Sequence, residues 1–377
     1  MSLHFFEGFE TSGSLLGIAN QATTGPDMQL RWDASSRGGV PSTDSSFLIT
    51  DVFSEGLAVQ MGSNGFSNGN YFAWYIPSGK NGVGASATEF IVGCRYHVPT
   101  PAVNTVVMAV YNGTGTQPGT SDLQVNALSS GSCSISRFVG GTMETVTGVF
   151  TTDTWHYVEL KFTISSGSSS NGSYEVHVDG TQIMVNTAAR TNGNFFSVVQ
   201  QIRFPNMSGA STTAGDFVGF DDIYILEVDG TTPNDFIGAS ARVISLPPDA
   251  DAGTNNWTTS TGTDHYALID ENGADSSDYL EESTNGDADM FDITDTVADG
   301  GFIALKVEAE AIALTTTSHT LDVRCNSNAT VAETNHAVTS TTAYDVFTHY
   351  QVTDPDTAGS WTQASIDAVD VGIQFNT

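Results

Sequence analysis

Two alternating stretches separated by a polar loop constrain this chain more than any other feature. From residue 155 to 164, apolar side chains occupy one set of alternate positions, and Tyr157, Glu159 and Lys161 occupy the other. From 174 to 180 the alternation resumes and ends in Asp-Gly, which suits a tight turn because Gly tolerates a positive φ. We predict two long antiparallel strands, with one face in a core and the other in solvent.

The rest of the chain is also predicted to form β-strands, because helical periodicity is nearly absent. Short apolar runs are separated by clusters of Gly, Ser, Thr and Asn, which predicts an all-β sandwich or barrel. One short helix is predicted at 362–369. Further strands are predicted at 46–53, 56–61, 71–76, 89–97, 104–111, 122–128, 133–139, 195–204, 217–228, 302–310, 320–325, 344–352 and 371–375.

A change in composition divides the chain. After a turn-rich stretch at 229–235, no Lys or Arg occurs between Arg242 and Lys306, whereas twelve acids lie in 264–299. We therefore predict a large sandwich domain over 1–229, a linker over 230–235 and a smaller β domain over 236–377.

The charge balance excludes some partners. There are 43 Asp and Glu residues against 11 Lys and Arg, giving a formal net charge of −32. Such a chain repels phosphates, so we expect no nucleic-acid partner, and anionic membrane surfaces are disfavoured for the same reason. The balance suits a high-salt medium, where screening limits self-repulsion, and it suits divalent cations.

The cysteines bear on disulfides and zinc, and the N-terminal residues predict a virion protein made in the host cytoplasm without a signal peptide. Cys94, Cys133 and Cys325 are widely separated, and an odd count without a CxxC pair argues against a disulfide framework and against zinc. We expect three small buried side chains. No basic and apolar leader and no apolar run of membrane-spanning length is present, so we expect no signal peptide, no membrane insertion and release by lysis.

Residues 1–229 resemble the concanavalin A-like (laminin G-like) jelly-roll superfamily. The matching features are the opening Phe-Phe-Glu-Gly-Phe at 5–9, the strand from Asp153 to Leu160, the Val-x-Val-Asp-Gly hairpin at 176–180 and the closing Phe-Asp-Asp-Ile-Tyr-Ile at 220–225. The resemblance implies two curved antiparallel sheets and no particular activity.

Residues 236–377 resemble a second domain of tailed-phage virion proteins. The matching positions are Phe236-Ile-Gly, the stretch 242–249, Asn256-Trp257-Thr, the stretch 264–271 and the ending 354–364. Together the two resemblances imply a virion protein in a capsid decoration or a tail, assembled as a homo-oligomer with other virion proteins and displayed on the particle surface.

Catalytic patterns are weak in the sequence. The E-x-D-x-x-E strand signature of jelly-roll glycoside hydrolases does not occur in residues 1–229, and no GxSxG elbow occurs. Glu175, His177 and Asp179 share one face of the predicted hairpin, which we interpret as structural. We therefore assign no catalytic residues and predict that the protein is not an enzyme.

The sequence also gives little indication of metal ligands. Asp221-Asp222 is predicted to anchor a turn or cap backbone amides, with a calcium site as the alternative, and no other cofactor is expected. His265 is predicted to make an ordinary hydrogen bond. The acids of 264–299 lack the EF-hand spacing and are interpreted as a solvated face.

Glycan binding is the main rival to a purely structural role. Tyr71, Trp74 and Tyr75 follow the Gly/Asn-rich loop 63–70, which supplies the aromatic and amide groups that lectins of this fold class use. A core strand after an ordinary loop explains the same residues, and Trp257 and Trp361 are predicted to pin the core of the second domain.

The sequence therefore predicts a non-enzymatic structural component of a phage virion surface that contributes to host attachment. A carbohydrate-binding tail-fibre or tail-tip lectin, which would recognise a host surface glycan, is the first alternative. A polysaccharide-degrading enzyme is the second. Capsid or tail location, metal ligands and glycan ligands are left open.

Overall fold

The chain divides into two compact units in a computed structural model, Met1–Ile244 and Ser245–Thr377. The sequence placed the boundary slightly earlier, between 235 and 236. The described residues are 3–7, 34–36, 48–50, 57–62, 70–75, 89–98, 104–111, 121–137, 141–166, 169–191, 199, 201–206, 217–228, 233–270, 277–296, 301–316, 319–342 and 344–377.

The first unit contains two antiparallel sheets, which confirms the predicted all-β jelly-roll class. The first sheet has the order β13-β12-β11-β6-β15-β4-β3, and β1 pairs with β15. Its strands are β1 (Leu3–Glu7), β3 (Leu48–Thr50), β4 (Leu57–Gly62), β6 (Glu89–Val98), β11 (Thr154–Thr163), β12 (Gly172–Val178), β13 (Thr181–Ala189) and β15 (Phe217–Glu227).

The second sheet of this unit has the order β10-β9-β8-β7-β14-β5-β2. Its strands are β2 (Ala34–Ser36), β5 (Asn70–Tyr75), β7 (Thr105–Tyr111), β8 (Ser121–Ala127), β9 (Cys133–Arg137), β10 (Gly141–Val146) and β14 (Gln201–Asn206).

The predicted hairpin lies in the first sheet. β11 and β12 pair in the register Val158 with Val178 and Phe162 with Tyr174, and Asp179 adopts a positive φ of 51° at the turn. Strand alternation sends Leu160 and its even-numbered neighbours toward the second sheet, where they join one continuous apolar core between the two sheets. The core face of the hairpin was therefore predicted correctly.

The outer face of the same hairpin is not in solvent, which corrects the sequence prediction. Tyr157 is 1% exposed and Glu159 is 0% exposed. They are covered by residues 236–243, which we call the strap. The backbone N–H of Gly238 in the strap donates to Glu159 Oε1 at 2.9 Å, and Phe236 stacks on His177 with ring centroids 4.0 Å apart.

A buried ion pair ties the other end of the strap to the first sheet. Arg95 Nε donates to Asp222 Oδ2 at 2.5 Å, and Arg95 Nη2 donates to the carbonyl oxygens of Ala239 and Ala241 at 3.0 Å each. The backbone N–H of Val243 donates to Asp222 Oδ1 at 2.7 Å. The strap is therefore part of the first unit.

A bulge in β15 shapes this face. The register of β15 against β6 shifts between Asp221 and Tyr224, and Asp222 has a positive φ of 45°. After the bulge, Tyr224 lies opposite Gly93, and its hydroxyl donates to Glu159 Oε1 at 2.5 Å.

The second unit is a smaller β structure around its own core. A five-stranded sheet has the order β16-β19-β24-β21-β22, and β17-β18 and β20-β23 are separate antiparallel pairs. Val307 of β20 and Phe347 of β23 pack in one apolar cluster with Val323 of β21. The elements are β16 (Pro248–Asn255), β17 (Thr258–Thr259), a 3-10 turn (Tyr266–Leu268), β18 (Leu280–Glu281), β19 (Ala288–Ile293), β20 (Leu305–Ala311), β21 (His319–Ser327), β22 (Thr330–Val338), β23 (Asp345–Gln351), α1 (Gln363–Ile366) and β24 (Val369–Asn376).

The short helix α1 lies where the sequence predicted one. Thr362 is its N-cap, and a reciprocal capping box links the Thr362 and Ser365 side chains to each other's backbone N–H groups.

We predict that Gly93→Ala destabilises the first unit by about 2 kcal/mol, the usual range for an overpacked interior position. A Cβ at this position would overlap the ring of Tyr224, which is held by its hydrogen bond to Glu159. Urea denaturation of the full chain measures the loss.

Gly301→Ala is the matched control, because a Cβ there meets no heavy atom within 4 Å. Equal urea midpoints for the two variants would contradict the close packing of Tyr224 on Gly93.

Candidate functional site

The second sheet carries polar side chains on the face turned away from the core. In β14, Ile202 and Phe204 belong to the core cluster, so that Gln201 and Arg203 alternate onto the opposite face. The neighbouring strands β7, β8 and β9 add further side chains there by the same alternation. We call this set the polar face: Tyr111, Gln124, Asn126, Ser134, Ser136, Gln201 and Arg203.

A buried guanidinium is the main charge of the polar face. Arg203 is 2% exposed, its Nε donates to Gln201 Oε1 at 2.6 Å, and its guanidinium carbon lies 4.2 Å from the centre of the Tyr111 ring. Gln201 orients the guanidinium, and the aromatic ring interacts favourably with its charge.

The amide of Gln201 has an unused donor. Gln201 is 0% exposed, and its Nε2 atom is buried without a hydrogen-bond partner in the described part of the chain. A buried N–H group without a partner is costly, so such a group in a native fold calls for a ligand or water. The donor therefore marks a place where an acceptor oxygen fits.

Neutral hydrogen-bonding groups extend the polar face along β8 and β9. Asn126 Nδ2 donates to Ser136 Oγ at 2.9 Å, and Gln124 Nε2 donates to Asn126 Oδ1 at 3.0 Å. Amides and hydroxyls in a row offer both donors and acceptors, which is what the hydroxyl groups of a sugar require.

Few acids lie in the strands of this sheet, namely Asp122 in β8 and Glu144 in β10. Of the 43 Asp and Glu residues in the whole chain, only Glu89 and Asp122 lie between residues 56 and 143, and none lies between 180 and 215. These two stretches contain β5, β7, β8, β9 and β14. The net charge of −32 is therefore unevenly distributed along the sequence, and β14 and the strands beside it carry few acids.

The aromatic residues proposed from the sequence lie on the strand next to β14. Tyr75 pairs with Gln201, Trp74 with Ile202, and Tyr71 with Pro205. The loop 63–69 lies outside the described residues. The sequence thus pointed to a strand beside the polar face, but it missed Gln201 and Arg203. Their signal was an Arg and a Gln alternating with Ile and Phe in a chain poor in basic residues.

The polar residues of the β11–β12 hairpin have structural partners. His177 Nε2 donates to Glu175 Oε1 at 2.7 Å, and Gln182 donates to the same oxygen at 2.6 Å. Asp179 accepts from His156 Nδ1 at 2.7 Å and from the backbone N–H of Tyr157 at 2.8 Å. These contacts fix the turn.

Asp222 anchors the strap through Arg95 and Val243, as the predicted capping role requires. Asp221 Oδ1 accepts from the backbone N–H of Asp222 at 2.8 Å. Across the described ranges, no group of three or more His, Cys, Asp or Glu side chains is arranged to hold a metal ion.

The His265 side chain is bound to a buried carboxylate. Its Nδ1 donates to Asp289 Oδ2 at 2.6 Å, and Asp289 Oδ1 accepts from the backbone N–H groups of Asn256 and Trp257. Asp289 therefore closes the loop before β17 onto β19. Trp361 is 3% exposed and packs in the core of the second unit.

The one cysteine–histidine contact that the structure describes is poorly suited to catalysis. Cys325 Sγ lies 3.8 Å from His349 Nε2, and both side chains are buried. Burial raises the pKa of Cys325 to about 12 and lowers that of His349. A neutral thiol beside a neutral imidazole is a weak nucleophile.

No family profile and no curated protein matches this sequence. Solved structures of similar fold include an alginate lyase from Aplysia kurodai, at 14% identity and a TM-score of 0.38 over 48% of this chain and 87% of the other. An endo-β-1,4-glucuronan lyase from Trichoderma reesei has 14% identity and a TM-score of 0.42 over 64% and 100%. An alginate lyase from a Chlorella virus has 12% identity and a TM-score of 0.36 over 48% and 88%.

These comparisons contradict the prediction that the protein is not an enzyme, because its structural neighbours include polysaccharide lyases. At these identities the likeness concerns the fold alone. The resemblance to phage virion proteins stays a prediction. Within the described part of the chain, no helix is long and apolar enough to cross a membrane.

We predict that Asp179→Asn lowers the melting temperature at neutral pH and has no effect at strongly acid pH. Burial raises the pKa of Asp179, but the hydrogen bonds from His156 and Tyr157 outweigh it and hold the pKa below its ordinary 3.8. Because the pKa of Asp179 is lower in the folded state than in the unfolded state, its ionised carboxylate stabilises the fold above pH 3.8. This stabilisation is lost as the pH falls through the pKa of the folded state.

Thermal denaturation of both proteins across this pH range tests the prediction. A difference in melting temperature that stays constant down to the most acid pH would show that Asp179 does not stabilise the turn as a carboxylate.

Proposed function

We propose that the first unit binds and cleaves an acidic polysaccharide by β-elimination at the polar face. The observation that supports this proposal is the buried Arg203–Gln201 pair, whose free amide donor lies in a part of the fold that is poor in acids.

The residue types fit a uronate sugar. A guanidinium binds a carboxylate through paired hydrogen bonds, and the Gln201 amide can donate to the same group. Removal of the proton next to the carboxylate moves negative charge onto the carboxylate oxygens, and fixed donors stabilise that charge. The C=C bond of the product then forms as the glycosidic C–O bond at the neighbouring carbon breaks, and the departing oxygen takes up a proton. Arg203 and Gln201 are the donors that we assign to this role.

Tyr111 is the residue that we assign to proton transfer. Its ring lies under the guanidinium of Arg203, and tyrosine can serve as a general acid or base. The neutral row of Gln124, Asn126, Ser134 and Ser136 would bind hydroxyl groups of adjacent sugars. Because the polar face is buried in this structure, sugar binding must be accompanied by its exposure to solvent.

We predict that Arg203→Gln lowers kcat/KM on uronate-containing polysaccharides by roughly 100-fold, the usual cost of removing one donor to developing negative charge. Ultraviolet absorbance of the unsaturated product measures elimination, and melting temperature shows whether the variant folds. Arg324→Gln in the second unit removes an equal charge and is expected to retain full activity.

Absence of unsaturated product from every acidic polysaccharide, or a folded Arg203→Gln variant with unchanged activity, would contradict the proposal. Reducing ends without a double bond would indicate hydrolysis instead. That product would also contradict the proposed elimination.

Glycan binding without cleavage is the second candidate function. It is favoured by the neutral hydrogen-bonding network of Asn126 and its neighbours, which requires no proton transfer. Saturable binding of an oligosaccharide, lost in Asn126→Ala and unaccompanied by product, would support this candidate over the enzyme.

We further propose that the chain is carried on the surface of a tailed-phage particle as a homo-oligomer. Its support is the resemblance of residues 1–229 and 236–377 to a pair of domains found in virion proteins. We expect cryo-EM and mass spectrometry of purified particles to find it in repeated copies on a capsid or tail, and its absence from both would defeat this proposal.

A further inference from the structure

The second unit has a long strand at an open sheet edge. β22 (Thr330–Val338) is the last strand of the five-stranded sheet, and among the described strands it pairs with β21 alone. Most of its residues are exposed, and Val331 is 49% exposed. An edge of this kind presents unpaired backbone N–H and C=O groups, with which another strand can pair.

The turn between β21 and β22 shows which backbone groups face outward. Ser327 pairs with Thr330 across a two-residue turn, in which Asn328 and Ala329 have positive φ values of 46° and 70°. In such a hairpin the flanking residues exchange hydrogen bonds, and the bonding then alternates along the ladder. The even-numbered residues of β22 therefore bond to β21. The backbone groups that face the open edge belong to Val331, Glu333, Asn335 and Ala337.

The pair of strands β20 and β23 leaves this edge open. Thr334 Oγ1 lies 2.9 Å from His349 Nδ1, and His336 Nε2 donates to the carbonyl oxygen of Thr348 at 2.9 Å. Both contacts come from even-numbered side chains of β22, which face the core of the second unit, whereas the odd-numbered side chains lie on the opposite face. The strand partner of β23 in the described structure is β20.

The other edge of the same sheet carries features that discourage strand pairing. β16 begins with Pro248, contains Asp249 and Asp251, and shifts its register twice against β19. Proline, charges and bulges are the usual protection of an exposed edge. β22 contains no proline or lysine, and its pairing with β21 has no shift. Of the two edges of this sheet, β22 is therefore the one suited to pairing.

We propose that β22 pairs with β22 of a second copy of this chain, antiparallel and about a twofold axis at Thr334. In this register Val331 lies opposite Ala337, so that an exposed apolar side chain gains a contact. Glu333, the single acid of the strand, lies opposite the neutral amide of Asn335. Each of these pairs joins edge-facing residues, which can therefore exchange backbone hydrogen bonds.

Neighbouring registers are less favourable. A register centred on Glu333 would place the two Glu333 carboxylates directly opposite each other, and like charges in that position are destabilising. A register that differs by one residue would bring edge-facing residues opposite residues that already bond to β21. The sequence of β22 is therefore complementary to itself about Thr334.

The charge of the chain opposes the dimer and makes it depend on salt. Two copies that each carry a net charge of −32 repel one another. Salt shortens the range of that repulsion, from about 30 Å at 0.01 M to about 3 Å at 1 M. One strand edge is also a small interface. We therefore expect a dimer that forms at micromolar concentrations and tightens as sodium chloride is added.

Sedimentation velocity of the full chain tests the dimer over a range of about 1–100 μM, at low and at high sodium chloride. We expect Glu333→Pro to weaken dimerisation by about tenfold to 100-fold, because proline has no N–H to donate across the edge. Glu333→Ala is the matched control, since it loses the same carboxylate and keeps the N–H. It is expected to dimerise at least as tightly as the wild type, and melting temperatures show whether both variants fold.

A second pair of variants tests the register without proline. Asn335→Lys places an ammonium group opposite Glu333 of the second copy, so we expect it to tighten the dimer severalfold. Ala364→Lys adds the same charge on α1, outside β22, and is expected to have a smaller effect.

The proposal is overturned by a monomer at every concentration and salt, or by equal dimerisation of folded Glu333→Pro and Glu333→Ala. It is also overturned if the two lysine variants dimerise equally, because a homo-oligomer that none of these changes affects is held by another surface. These measurements use the purified chain, so that their outcome does not depend on the elimination or on the virion location proposed above.

Discussion

The contact between the strap and the outer face of the first sheet determines much of the first unit. Alternation forces a strand with one face in the core to present its other side chains outward, and here these include Glu159 and Arg95. Burying a charge costs several kcal/mol unless it is paired and hydrogen-bonded. Backbone N–H groups of the strap donate to the two carboxylates, and its carbonyl oxygens accept from the guanidinium. Burial of these charged side chains therefore depends on the strap, and attachment of the strap depends on them.

The sequence predicts the parts of this fold that depend on local pattern. Alternation located the β11–β12 hairpin and its core face, because the period of a strand is visible in a few residues. It could not show that Tyr157 and Glu159 are buried, since the covering strap lies about 80 residues further along the chain. The same limit applies to Gln201 and Arg203. Their alternation is visible, but only the sheet order brings them beside Tyr111 and Asn126.

The reasons for the wrong prediction about enzymatic activity are instructive. That prediction rested on the lack of paired carboxylates and of a serine nucleophile in the sequence, which are the groups of hydrolytic mechanisms. The elimination that we propose requires donors to a carboxylate and a proton-transfer group, and such groups need no fixed spacing of two carboxylates in the sequence. The net charge was equally misleading, because a sum over the whole chain conceals a sheet from which acids are nearly absent.

The bulge at Asp222 changes the phase of β15. Before it, the even-numbered Val218 and Phe220 enter the core, whereas after it the odd-numbered Ile223 and Ile225 do so. The strand therefore consists of two half-strands of opposite parity, joined by one additional residue. Deletion of Asp222 would restore one continuous alternation and leave all four of these side chains in the core. What it would remove is the carboxylate that accepts from Arg95 and from the backbone N–H of Val243. The additional residue therefore serves the attachment of the strap and not the packing of the core.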